Sequence, residues 1–149
     1  MIKQTPTAVK IVIASLLLLV SFGLQAQCRS FAKNKCVPAL APYKFNETFN
    51  AAQLSPGEEA EVNLTLFSGQ EYRVLVCSHP ILGEVNWKLV DPAGTTVFES
   101  LASDPKPSFD LKAAGTTQMK VVVTVPDRPG GGGDMVHVGC VAILLGFKE

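Results

Sequence analysis

Two short stretches set a cysteine close to a histidine. "VLVCSHP", Val74 to Pro80, holds Cys77 and His79, and "MVHVGCVAILLGF", Met135 to Phe147, holds His137 and Cys140. Thiolate and imidazole are ligands of four-coordinate zinc, and a thiol lowered in pKa by an imidazole is a nucleophile. Spacing weighs against the metal. On regular strands Cys77 and His79 share a face, whereas His137 and Cys140 are three apart and point to opposite faces unless Gly139 forms a bulge. The nucleophilic pair lacks a third, orienting residue. Both readings also need free thiols, so the compartment decides between them.

The N-terminus, "MIKQTPTAVKIVIASLLLLVSFGLQAQC", places Lys3 and Lys10 ahead of an apolar run of 12 residues, Ile11 to Phe22, followed by a short polar exit with small residues. That is the layout of a secretory signal peptide, and the run is shorter than the roughly 20 residues needed to span a bilayer as a helix. Cleavage is expected after Ala26, giving an exported chain, periplasmic or extracellular, with no permanent membrane span. The alternative is a lipoprotein anchored through Cys28, but Gln27 stands where that processing wants Gly or Ala. Cys28, Cys36, Cys77 and Cys140 all lie beyond the cleavage point, and an even number of cysteines in an oxidising space implies two disulfides. Cys28 and Cys36 enclose only seven residues, while Cys77 and Cys140 sit among apolar strand residues. The expected pairs are therefore Cys28–Cys36 and Cys77–Cys140. No metal, no cofactor and no catalytic residue is expected, and the binding residues are left open.

The apolar residues from Ala60 onward alternate. Ala60, Val62, Leu64 and Leu66 share one face of a strand, and Tyr72, Val74 and Val76 share one face of the next; "SGQ" between them reads as a hairpin turn. "VNWKLV" and "TTVFES" read as a second hairpin around "DPAG", where Pro92 presets one backbone angle and Gly94 accepts a positive one. "MKVVVTV" is a β-branched strand. The closing "VHVGCVAILLGF" is apolar on both faces, as suits a strand in the middle of a sandwich. An early strand is expected near Tyr43 to Phe49, a short helical turn around Ala51 to Leu54, and a mobile loop at "DRPGGGGD", Asp127 to Asp134. Short strands at intervals of about ten residues imply an all-β fold, an antiparallel, jelly-roll-like sandwich of seven or eight strands. Residues 1–26 are read as signal peptide, 27–57 as a disulfide-tethered N-terminal segment, and 58–149 as the sandwich core, the last two forming one domain.

Cleavage leaves 123 residues with 11 basic and 13 acidic side chains, close to neutral. Nucleic acid, which demands a basic face, is excluded as a partner. "GGGGD" lacks the Lys-Ser/Thr of a phosphate loop, and Ser68, Ser78 and Ser103 lie in no G-x-S-x-G elbow. Asp91, Asp104, Asp127 and Asp134 read as solvated turn residues without the regular spacing of a calcium loop. Asn46 and Asn63 fit the glycosylation acceptor pattern, which counts only in a eukaryotic source. Trp87, in register with Val85 and Leu89, is expected in the core.

The order "LSPGEEAEVNLTLFSGQEYRVLVC", "LGEVNWKLVDPAGTTVFES", "MKVVVTV", "GCVAILLGFK" resembles a little-characterised group of small secreted bacterial proteins. More distantly, it is similar to bacterial pre-peptidase C-terminal domains. The likeness covers Leu54 to Lys148 and implies a jelly-roll-like β-sandwich; in the distant relatives it implies a module appended to secreted proteases, and it supplies no catalytic residue. The expected function is a secreted, non-enzymatic binding or envelope-associated module whose partner is a protein or a glycan. The alternative is an assembly subunit that offers a sheet edge, and a hydrolase or metal enzyme ranks third. Mass spectrometry of the exported protein is expected to find an N-terminus at Gln27; a diacylglyceryl group on Cys28 would contradict this.

Overall fold

The computed structural model describes residues 23–127 and 137–149. The apolar run expected to belong to an export signal and most of the glycine loop, residues 128–134, lie outside the described residues. Among the described residues nine strands form two antiparallel sheets: β1 Lys44–Phe45, β2 Asn50–Leu54, β3 Glu59–Leu66, β4 Glu71–Ser78, β5 Asn86–Val90, β6 Thr96–Ser100, β7 Ser108–Lys112, β8 Thr117–Thr124 and β9 Gly139–Lys148. One sheet runs β1-β9-β4-β7, with β2 also on β9 above β1; the other runs β3-β8-β5-β6.

The pairs β2–β9, β3–β8, β4–β7 and β5–β6 are nested, as in one long hairpin rolled up around the β5–β6 turn. This is the jelly-roll order, built here from eight strands with the two-residue β1 added. The central turn is the one the sequence foretold. Asp91 N–H donates to Thr95 O, Gly94 N–H donates to Asp91 O, and Gly94 takes φ +85°.

Two expectations are corrected. β3 and β4 are not a hairpin, because they lie in different sheets. Gly69 does take the positive φ of a turn, but its N–H donates to Ala113 O in the β7–β8 connection, so the turn is an arch between sheets. Alternation says which face of a strand is buried, and it is silent about which sheet the strand joins. The helical turn expected at Ala51 to Leu54 is the strand β2, held residue by residue on β9 from Asn50↔Ile143 to Leu54↔Gly139. The early strand is correspondingly short, only Lys44–Phe45.

The inner faces build the main core. Val74 and Val76 of β4 and Val141, Ile143 and Leu145 of β9 face Leu64, Leu66, Trp87, Leu89 and Val121 from the other sheet. Trp87 is buried, as expected, and its indole N–H donates to Lys106 O at 2.9 Å.

The first sheet has a second apolar face. Leu75, Ala142 and Leu144 point away from the main core and are nonetheless buried. What covers them is a helical cap: α1 Gly23–Phe31, a π-helical turn Ala32–Cys36 and a 3₁₀ turn Val37–Leu40. Its contact stripe is Cys28, Ala32, Cys36 and Leu40, each four residues after the last and each no more than 2% exposed. Burial of Leu40, Leu75 and Leu144 alone contributes several kcal/mol, at roughly 1.5–3 kcal/mol per side chain.

Two disulfides fasten this cap, Cys28–Cys140 to β9 and Cys36–Cys77 to β4, spanning 112 and 41 residues. All four cysteines are paired, but not as the spacing suggested. Cys28 and Cys36 sit on the same helical stripe, and both face the sheet. Cys77 lies opposite Ala142, so it stands beside Cys140 on one sheet face, and each reaches up to the cap. A short loop closes readily in an unstructured segment, whereas this segment is folded and its cysteines are directed across the interface. By the chain-entropy argument, closing loops of these lengths contributes about 4–5 kcal/mol each as an upper figure. Cys28 Sγ is committed to Cys140 here, so a chain acylated on that sulfur would be a different covalent species.

Beyond Leu40 the chain lies against β9 at Gly146. A methyl group there would stand 2.8 Å from Tyr43 Cβ and 3.2 Å from Leu40 Cδ2. Gly146→Ala is therefore expected to destabilise the protein by about 1–3 kcal/mol, measured by urea unfolding. Gly115→Ala, where nothing lies within 4 Å, should stay within about 0.5 kcal/mol of the parent. Equal effects would contradict the close approach of cap and sheet.

Candidate functional site

The cap covers the middle of the sheet but leaves a cleft of about 390 Å³ at its N-terminal end, between α1, the end of β2, the start of β9 and the 3₁₀ turn Pro80–Leu82. One flank of the cap lines it with Gln27, Ser30, Phe31, Asn34 and Lys35, the helical neighbours of the stripe that faces the sheet. Gln53 of β2 and His79 close the other sides, and Cys140 lies in the wall. The Cys28–Cys140 bond thus ties the wall to the helix, and His79 N–H donates to Cys140 O at 2.8 Å.

His79 begins the 3₁₀ turn. Its Nδ1 accepts from Ile81 N–H at 3.2 Å, which puts the ring proton of the neutral tautomer on Nε2. The ring packs against Phe31 at 5.6 Å between centroids. The turn itself depends on Gly139: a Cβ there would meet Leu82 Cγ at 2.7 Å and Ile81 Cγ2 at 2.8 Å. Gly139 therefore serves close packing, and its pairing with Leu54 continues the β2–β9 ladder without the bulge that a zinc site would have needed. Carboxamides and a hydroxyl stand beside the Phe31 and His79 rings and the aliphatic Ile81 and Val138, and among the described residues Lys35 is the charged one and no carboxylate lines the cleft. Asn34 Nδ2 donates to Ser30 Oγ at 3.2 Å.

The four residues weighed for zinc do not converge as ligands. Cys77 and Cys140 are committed to different disulfides, His79 turns Nδ1 to its own loop, and His137 stands half-buried before β9. Among the described residues no group of three or more His, Cys, Asp or Glu side chains could hold a metal ion. Ser78 adjoins His79 in sequence, but its hydroxyl donates to Gly83 O, and Ser68 Oγ donates to Ala114 O. Asp91 caps its own turn by accepting from Ala93 and Thr95 N–H, and Asp104 pairs with Lys106 at 3.5 Å. Asp134 lies outside the described residues. No helix among the described residues is long and apolar enough to cross a membrane.

A second polar constellation lies on the same outer sheet face at the far end of the cap. Arg73 of β4 grips Asp110 of β7 with two nitrogens, Nε–Oδ1 at 2.6 Å and Nη2–Oδ2 at 2.7 Å. Its third nitrogen donates to Ala41 O at 3.0 Å, and the guanidinium lies 4.5 Å from the Tyr43 ring centroid. With every nitrogen engaged, Arg73 is an anchor for the end of the cap. The hydrogen bonds from Arg73 hold the Asp110 carboxyl below its usual range, against the opposing pull of partial burial.

No family model matches the chain, and no curated protein matches it. Among solved structures it is similar to PliG of Aeromonas hydrophila, a periplasmic lysozyme inhibitor of g-type lysozyme, at 8% identity and TM-score 0.47, over 68% of this chain and 85% of that one. It is also similar to the CBM36-1 domain of a multidomain xylanase from the hindgut metagenome of Trinervitermes trinervoides, at 14% identity and TM-score 0.36, over 74% and 93% of the two chains. The carbohydrate-binding module CBM36 in complex with calcium and xylotriose gives 14% identity and TM-score 0.35, over 73% and 96%.

The Arg73–Asp110 pair is testable through pH. A carboxyl whose pKa is lower folded than unfolded adds stability above its unfolded value, near 3.9, and loses it as pH falls through the folded value. Because Asp110 is 44% exposed, Asp110→Asn is expected to cost no more than about 1 kcal/mol at neutral pH. The gap to the parent should close in acid. A loss unchanged by acid in urea unfolding would contradict an electrostatic origin.

Proposed function

We propose that this protein is an exported, non-enzymatic binding module, and that the cleft beside His79 receives its ligand, a segment of glycan or peptide. The observation that carries this reading is the lining of the cleft. Carboxamides of Gln27, Asn34 and Gln53 and the hydroxyl of Ser30 can each donate and accept, Phe31 offers an apolar aromatic surface, and the volume of about 390 Å³ falls in the usual range of small-ligand sites, ~300–1,000 Å³. A disulfide in its wall keeps that arrangement in place without a bound ligand, so little ordering entropy is lost on binding. Export is supported by the two disulfides, which persist in oxidising compartments; periplasm or exterior is part of the proposal.

Assembly through a sheet edge is the second reading, and one observation favours it. β3 is an edge strand of eight residues without proline. The same strand carries Glu59 and Glu61 outward, and charges of this kind guard an edge against pairing, so the cleft is preferred.

Screening the folded protein on glycan and peptide arrays is expected to give ligands that compete with one another at the cleft. Asn34→Trp, which fills the cleft from an exposed helical position, should weaken them at least about tenfold, the loss expected when an anchoring contact is blocked, while leaving the melting temperature unchanged. Ligands that bind this variant undiminished, or that map to β3, would contradict the cleft reading.

A further inference from the structure

Charge is segregated along this chain. Residues 27–46 carry Arg29, Lys33, Lys35 and Lys44 and no acidic residue, while all 13 Asp and Glu side chains lie from Glu47 onward. The near-neutral total conceals a cationic cap on an anionic sandwich. Part of that positive charge is satisfied internally. Lys44 pairs with Glu149, and Arg29 lies over the Phe49 ring at 5.0 Å. Lys33 and Lys35 have no ionic partner among the described residues, and Lys35 lines the cleft.

We infer that the ligand of the cleft is an acidic glycan segment, with an anionic group of the sugar held by Lys35 and His79 and a sugar ring against Phe31. This deepens the binding-module reading and rests on it. Three features select the class. First, Lys35 brings a full positive charge to the cleft and His79 a further donor, the Nε2–H left by the Nδ1 bond to Ile81, and among the described residues no carboxylate lines it to repel an anion. Second, sugar hydroxyls both donate and accept, matching the carboxamides and serine around the rim, and a ring's C–H face suits the phenyl surface. Third, the cleft is lined by the cap flank and the 3₁₀ turn, whereas an extended acidic peptide is better served by a sheet edge. The surplus positive charge of the cap also draws anions from a distance, so association should weaken with salt.

The test is a ¹⁵N-resolved NMR titration of the exported protein with oligogalacturonate, oligomannuronate and a heparin-derived tetrasaccharide. The methyl ester of oligogalacturonate serves as its neutral counterpart, and inorganic phosphate as the bare anion. At least one acidic oligosaccharide is expected to shift the amides of Phe31, Lys35, Gln53 and His79. Lys35→Gln should weaken it about tenfold, the size of one charge-assisted hydrogen bond, and the ester should bind weaker by a similar factor. Lys33→Gln, off the cleft, should change affinity much less. An ester that binds as well as the acid would overturn the acidic assignment and leave the binding cleft standing. Phosphate alone reproducing both the shifts and the affinity would overturn the glycan assignment. No shift at the cleft with any acidic oligosaccharide would overturn the inference outright.

Discussion

β9 has no polar face. From Gly139 to Gly146 every residue is buried, and because apolar side chains stand on both faces of the strand, both must be kept from water. The opposite sheet covers one side. The other side, Leu144 and Ala142 with Leu75 of β4 beside them, would be an apolar stripe on the surface without the cap. The cap is therefore part of the fold and no appendage to it, and the features that follow are consequences of seating it. Glycine at 146 lets Tyr43 and Leu40 approach, two disulfides hold the helical stripe at β9 and β4, and Arg73 secures the end of the segment by its carbonyl and its tyrosine ring.

The cleft arises from the same seating. The cap covers only part of the sheet it lies on, so the flank adjoining the contact stripe borders the start of β9 and the 3₁₀ turn across the cleft. The residues there are amides, a hydroxyl, a lysine and two rings, of which Phe31 also packs against the apolar stripe. In physical terms the core-facing stripe and the cleft-facing flank are one helix read at two angles, which is why a disulfide in the stripe also forms the wall of the cleft. A rigid concave surface of mixed donors, acceptors and aromatic area suits recognition. Ser68 and Ser78 donate their hydroxyls to nearby backbone carbonyls, and His79 turns Nδ1 to the Ile81 N–H, which leaves Nε2 for the cleft.

How much of this was legible in the sequence follows from the range of each interaction. The β5–β6 hairpin could be read because alternation and the "DPAG" turn are local. The burial of β9 on both faces could be read from its unbroken apolar run. The partnership of β3 with β8 and of β4 with β7 could not, since a face of alternating residues fits either sheet, and "SFDLK" in β7 is too short to stand out. The cap left a signal that went unused: Cys28, Ala32, Cys36 and Leu40 recur every four residues, a helical stripe. Its small and sulfur-bearing members give weak hydrophobic contrast, and it follows directly on the long apolar run near the N-terminus, so the segment read as a tether and the nearest cysteines as partners. The cationic character of the cap was likewise written in the sequence and cancelled in the total charge.

The central claim is that the cap is folded onto the sheet and stapled there by long-range bonds. Peptide mapping of the exported protein, digested without reduction after free thiols are blocked, tests it directly. The account predicts Cys28 linked to Cys140 and Cys36 linked to Cys77. A Cys28–Cys36 peptide, a Cys77–Cys140 peptide or blocked free thiols at these positions would contradict it.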